Sequence, residues 1–127
     1  MTPFHRLTTK AQEAFQRSHE LAARRNQQQI DTLHLLVSLL EQESIVPAVI
    51  SKLEVDVRSL RDRAEAELNK FPSVEGNVLF GQVYLTQDLV RVLTRAADEA
   101  GELKDEYVST EHLFLAMFEV ESRAKAL

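Results

Sequence analysis

Two histidines recur in matching frames: His34 in "DTLHL" (31–35) and His112 in "STEHL" (109–113). Imidazole can bind a metal, carry a proton or hold a backbone group in place. A metal site needs partners at helical spacing, such as His-Glu-x-x-His. None of His5, His19, His34 and His112 has one. The chain has no cysteine, so thiolate sites and disulfides are excluded. Its three glycines, Gly76, Gly81 and Gly101, make neither a phosphate-cradling loop nor a nucleophile elbow. Acidic residues are many, but no pair stands out from a solvated helix face. Binding without turnover is therefore expected, with no metal and no cofactor in this chain. His34 and His112 are open to two readings: structural groups near helix starts, or a pair meeting across an internal axis.

The frame around the two histidines is itself repeated. With an offset of 78 residues, from Thr32 to Thr110, Leu7 falls on Leu85, Thr8 on Thr86, Arg17 on Arg95 and Ala22 on Ala100. Leu35, Glu41 and Ser44 fall on Leu113, Glu119 and Ser122. A gapless register of this length marks an internal duplication. The period is too long for common solenoids, so two halves of one globule, related by a pseudo-two-fold, are expected. The expected divisions are repeat one at 1–71, a linker at 72–85 and repeat two at 86–127. Phe71 would have its counterpart at position 149, so repeat two is expected to be C-terminally incomplete, lacking its last two helices. Apolar faces of the fifth and sixth helices would then be uncovered, a condition that invites association.

Composition supports an all-α reading. Three Gly, three Pro and no Trp leave few breakers among many Ala, Leu, Glu, Arg and Gln. With 127 residues, 44% of them hydrophobic, one domain with a real core is expected. Ala11, Ala14, Phe15, Ser18 and Ala22 share one helical face, and Leu89, Val92, Leu93, Ala96 and Ala100 share another. The segments "LHLLVSLL" (33–40) and "EHLFLAMF" (111–118) are apolar nearly all round, which places them at the centre. Thr8, Thr32, Thr86 and Thr110 each precede a helical pattern as candidate N-caps. Asp56 caps a further helix with Val57, Leu60, Ala64 and Leu68 on one face, Pro47 sits in a helical first turn, and Gly101 is a candidate helix stop. The linker keeps Val74, Val78, Leu79, Phe80, Val83 and Tyr84, which would pack on the domain or meet a partner.

Net charge is −5, and the one basic run, Ala23 to Arg25, complements a helix C-terminus. No nucleic-acid partner is expected. No apolar run approaches the roughly 20 residues of a membrane span, and "MTPFHRL" lacks a signal-peptide layout, so no membrane and a cytoplasmic setting are expected.

The segments "RLTTKAQEAFQRSHELAARRNQQQIDTLHLLVSLLEQES", "FPSVEG", "LTQDLVRVLTRAADEA" and "VSTEHLFLAMFE" together resemble the N-terminal Clp repeat domain of Clp-type AAA+ chaperones. "VEG" and "QDLVRVL" point to the ClpB-type disaggregase branch. The resemblance spans essentially the whole chain. It implies a pseudo-two-fold bundle of eight helices, of which this chain would supply about six. It also implies a domain that binds unfolded or aggregated polypeptide and passes it to its own hexameric ATPase ring. ATP and Mg belong to the ring modules of such a parent protein, and a DnaK-type chaperone system is the implied co-worker. Substrate handling in the family maps onto Thr8 and Glu111, both of which also read as helix-start residues. The family's apolar groove maps onto Arg95, Glu99 and His112, a polar departure. The alternative is the ClpC/ClpA-like branch, whose paired Thr-Glu-His acids dock adaptors or phosphorylated arginine. Here Thr110-Glu111-His112 has the acid and Thr32-Leu33-His34 lacks it, which favours the disaggregase reading.

Overall fold

The computed structural model describes residues 7–42, 45–71, 84–103, 105, 107–120 and 125. Among the described residues six helices follow one another: α1 (Thr9–Arg24), α2 (Thr32–Glu41), α3 (Ile45–Lys52), α4 (Val57–Leu68), α5 (Gln87–Glu102) and α6 (Thr110–Glu119). The same residues include two two-residue strands, β1 (Gln29–Ile30) and β2 (Tyr84–Leu85). The all-α, duplicated architecture is as the sequence indicated. Most of the expected linker, residues 72–83 with Val74, Val78, Leu79, Phe80 and Val83, lies outside the described residues. Tyr84 and Leu85, at its end, form β2.

The pseudo-two-fold is written into the backbone bonds. β1 pairs in parallel with β2, Ile30 opposite Leu85, and an isolated parallel bridge joins Leu7 to Val108. Thr86 N–H donates to the Ile30 carbonyl at 3.0 Å, and Thr8 N–H donates to the Val108 carbonyl at 2.9 Å. The 78-residue offset exchanges these two junctions. Each repeat therefore lends the residue before its first helix to the residue before the other repeat's second helix. Parallel pairing needs a crossover, and here the intervening helices supply it.

The amphipathic faces pack as their periodicity predicts. Ala11, Ala14, Ser18 and Ala22 are buried on α1, with Phe15 partly buried, and Leu89, Val92, Leu93, Ala96 and Ala100 are buried on α5. Small residues let α1 and α2 approach closely enough for Ser18 and Ser38 hydroxyls to meet at 3.1 Å. Each also donates back to the carbonyl four residues earlier, Ala14 or His34, so neither buried hydroxyl is orphaned. Every residue from Thr32 to Leu40 is buried, which makes α2 the centre of the domain.

Three expectations are corrected. The N-caps of α2 and α6 are Asp31 and Ser109, one residue before Thr32 and Thr110. The reason is a capping box closed by histidine, described below. Gly101 does not stop α5; the helix runs on to Glu102 with Leu103 as its C-cap. Finally, α6 is not buried all round: Glu111, Leu115 and Phe118 form an exposed stripe at helical spacing. Thr8, Thr86 and Asp56 do cap their helices, accepting from Ala11, Leu89 and Arg58 N–H.

Candidate functional site

The N-terminal ends of α1 and α6 are joined by the Leu7–Val108 bridge, and the candidate site is built there. Thr8 caps α1 with its hydroxyl 3.2 Å from Ala11 N. Its own N–H is taken by Val108, three residues before Glu111. Glu111 stands exposed in the first turn of α6, where the helix dipole favours an anion. The structure thus brings Thr8 and Glu111 to one edge of the domain.

His112 belongs to that edge as a buried support that also lines the recess there. Its Nδ1 accepts the Ser109 N–H at 2.9 Å, so the ring proton sits on Nε2 and points to Asp105 Oδ2 at 3.0 Å. The same arrangement recurs at the other junction. His34 Nδ1 accepts the Asp31 N–H at 2.9 Å, and its Nε2 meets Gln27 Oε1 at 2.8 Å. In each case the cap residue also accepts a first-turn N–H, so two stray donors are satisfied reciprocally. Histidine takes the place usually held by Glu or Gln. The two rings serve their own helices and are not a pair across the axis. Burial pulls the His34 pKa down to about 4, with Arg25 adding to the effect and the Asp31 carboxylate opposing it.

The junctions differ in one cap residue, and this difference shapes them. Asp31 Oδ1 accepts the Thr86 hydroxyl at 2.8 Å, tying repeat one to repeat two. Ser109 is too short to do this for Thr8, and its hydroxyl turns to His112 Nδ1 at 2.9 Å. The Thr86 junction borders a polar recess of about 210 Å³ edged by Asp88 and Arg91. The Thr8 junction borders a larger one of about 480 Å³, lined by Leu103, Tyr107, Glu111 and Leu115 around the Ser109–His112–Asp105 chain. Tyr107 and Leu103 are 55% and 61% exposed, so this recess presents apolar surface beside two carboxylates, Asp105 and Glu111.

Arg95 and Glu99 lie elsewhere. Arg95 bonds Glu99 at 3.0 Å, reaches Glu102 at 3.7 Å and pairs with Glu119 at the far end of α6. Glu111 and Glu119 are eight residues apart, about 12 Å along the helix. A hydrogen bond between the Glu99 and Glu119 carboxyls holds Glu99 above the ordinary carboxylate range and Glu119 below it; the Arg95 guanidinium also lowers Glu119. Arg95 is therefore engaged with acids along the α5–α6 flank. Asp105, Tyr107 and Leu115 were not singled out from the sequence. The 78-residue offset aligns them with Gln27, Gln29 and Val37, residues of other types, so the repeat itself does not single them out.

No group of three or more metal-binding side chains occurs among the described residues. Nor is any single described helix long and apolar enough to cross a membrane. What the geometry offers is an open recess, part apolar and part acidic, on a duplicated helical domain. The chain belongs to the family of Clp repeat (R) N-terminal domains, whose model matches residues 6–127. It is 40% identical over 117 residues to the chaperone protein ClpB of Bacillus cereus, covering 91% of this chain and 14% of that relative. It is thus an N-terminal domain of ClpB type, about one-seventh the length of that chaperone. The fold matches the N-terminal domain of Hsp104 from Candida albicans, with TM-score 0.81 and 22% identity over 91% of this chain and 75% of the other. It also matches a ClpV N-domain solved in complex with a VipB peptide, with TM-score 0.77 and 19% identity over 97% of this chain and 76% of the other.

Proposed function

We propose that this domain recruits unfolded or aggregated polypeptide for an ATP-dependent disaggregase of ClpB type and passes it to the ATPase ring. One observation carries the reading: the open recess at the turn from α5 into α6 combines exposed apolar side chains with Glu111, next to the junction where Thr8 N–H meets the Val108 carbonyl. An apolar floor accepts side chains that a folded protein would hide, while a polar rim keeps the contact weak enough to release them. The related ClpV N-domain that holds a VipB peptide supports a peptide-binding role. Arg95, Glu99 and His112 belong to this reading as flank and support. The chain binds without turnover; the parent protein's hexameric ring holds ATP and Mg and supplies the force. The setting is the cytoplasm, alongside a DnaK-type chaperone system.

Fluorescence anisotropy with a reduced, carboxymethylated polypeptide tests this. Saturable, weak binding is expected, with none to the same protein in its folded form. Equal binding to both forms would overturn it. A second reading, docking of an adaptor or a phosphorylated arginine, is favoured by the two carboxylates on one recess. It predicts instead a stoichiometric complex with a small folded protein or with the modified residue.

A further inference from the structure

One line of hydrogen bonds crosses repeat one into repeat two, and every link donates in the same direction. The Thr86 hydroxyl donates to Asp31 Oδ1 at 2.8 Å, and the Asp31 N–H donates to His34 Nδ1 at 2.9 Å. With Nδ1 accepting, the His34 proton sits on Nε2 and goes to Gln27 Oε1 at 2.8 Å. The Gln27 amide in turn donates to the Leu68 carbonyl at 2.8 Å. Both ends fix this direction: the Asp31 carboxylate and the Leu68 carbonyl can only accept, so Thr86 and Gln27 must donate. Gln27, Asp31 and His34 are at most 3% exposed, where water does not replace a lost link. The line begins at the cap of α5 and ends at the last residue of α4, on either side of residues 72–83, which join the repeats.

Repeat two has the same positions but not the line. The 78-residue offset maps Gln27 onto Asp105, Asp31 onto Ser109 and Thr86 onto Thr8. Asp105 meets His112 Nε2 at 3.0 Å, but a carboxylate has no proton to pass on. The Ser109 hydroxyl is turned to His112 Nδ1 at 2.9 Å. Both breaks follow from residue type. We propose that the Thr86–Asp31–His34–Gln27–Leu68 line is a conformational clasp: it makes the end of α4 and the start of α5 open and close as one unit, on one side of the pseudo-two-fold only. Cutting any link orphans a buried group at the next and loosens the links beyond it. Residues that share no such partners contribute independently.

Native-state hydrogen exchange of the unaltered protein in low urea reads this unit directly. The Asn69 and Phe71 amides donate to the Glu65 and Leu68 carbonyls, and the Tyr84 and Thr86 amides to those of Gln28 and Ile30. All four should exchange through one opening with one urea dependence. Separate openings for the two pairs would overturn the proposal. A double-mutant cycle in urea unfolding then tests the links. Gln27→Met cuts one end and Thr86→Val the other, and each should lower the folded-to-unfolded ratio about ten-fold. The double variant should lose about twenty-fold, well short of the product. Thr86→Val also removes the cap on Leu89 N–H, but that loss is common to both arms of the cycle and cancels. Thr86→Ser keeps the hydroxyl and should behave as the unaltered protein. A loss of about a hundred-fold in the double variant would show independent links and overturn the clasp.

Discussion

The Thr86 hydroxyl donates to Asp31 Oδ1 across 2.8 Å and across the boundary between repeats. The same carboxylate caps α2, and its backbone N–H is held by His34. Asp31 is 3% exposed, and its carboxylate also accepts the Thr32 hydroxyl at 3.3 Å. Asp31→Ala should therefore destabilise the domain by about 2–4 kcal/mol in urea unfolding, combining a lost cap with unsatisfied buried groups. Asp31→Ser, which copies Ser109, should keep the cap and lose only the clamp, costing less. Equal costs for the two would show that the clamp contributes nothing.

His34 makes stability depend on pH. Its pKa in the fold, about 4, lies below the ordinary 6.5, so the unfolded chain binds the extra proton first. The neutral ring's contribution is complete above pH 6.5 and is lost as pH falls through that window towards 4. The full swing is on the order of 3 kcal/mol. His34→Gln can still close the capping box and does not titrate. The difference between the two proteins, followed by denaturation between pH 7 and 4, should shrink as the pH drops. A constant difference would contradict the buried, neutral ring.

Gly101 provides a test of sign. It lies inside α5, and a Cβ added there would meet nothing within 4 Å. Gly101→Ala should therefore stabilise the domain by about 0.5–1 kcal/mol. Were Gly101 a left-handed helix stop, the same change would destabilise it. Thermal unfolding of the two proteins decides between these outcomes.

Leu40 and Phe118 occupy the same position in the two repeats with opposite surroundings, 5% and 55% exposed. Leu40→Ala should cost about 2–5 kcal/mol through the cavity it opens. Phe118→Ala, though it removes the larger side chain, should cost less than about 1.5 kcal/mol, mainly its edge contact with Phe114. A comparable loss for both would mean that α6 is covered in solution.

The helices were legible because 3.6-residue periodicity survives in single sequences: the buried faces of α1 and α5 fall where the apolar spacing put them. The duplication was legible because the register has no gap. The caps of α2 and α6 were not, because Asp31-Thr32 and Ser109-Thr110 each offer two good capping residues. The choice is made by His34 and His112, which stand three residues after the true cap and return a bond to it. The cross-repeat bridges escaped because a two-residue strand has no period to read. The recess escaped because Asp105, Tyr107 and Leu115 share no sequence spacing; they are assembled by the turn into α6. Arg95, Glu99 and His112, grouped as one groove, divide in space, since His112 stands in the first turn of α6 while Arg95 and Glu99 sit with Glu119 at its other end.

The most direct measurement is an amide NMR titration of the labelled domain with a permanently unfolded protein, repeated with Thr8→Ala and Glu111→Ala. The account predicts shifts concentrated at Thr8, Tyr107, Glu111 and Leu115, small ones at Arg95 and Glu99, and weaker binding in both variants with the fold retained. Shifts centred on the Thr86–Asp31 junction, or binding unchanged in both variants, would contradict it.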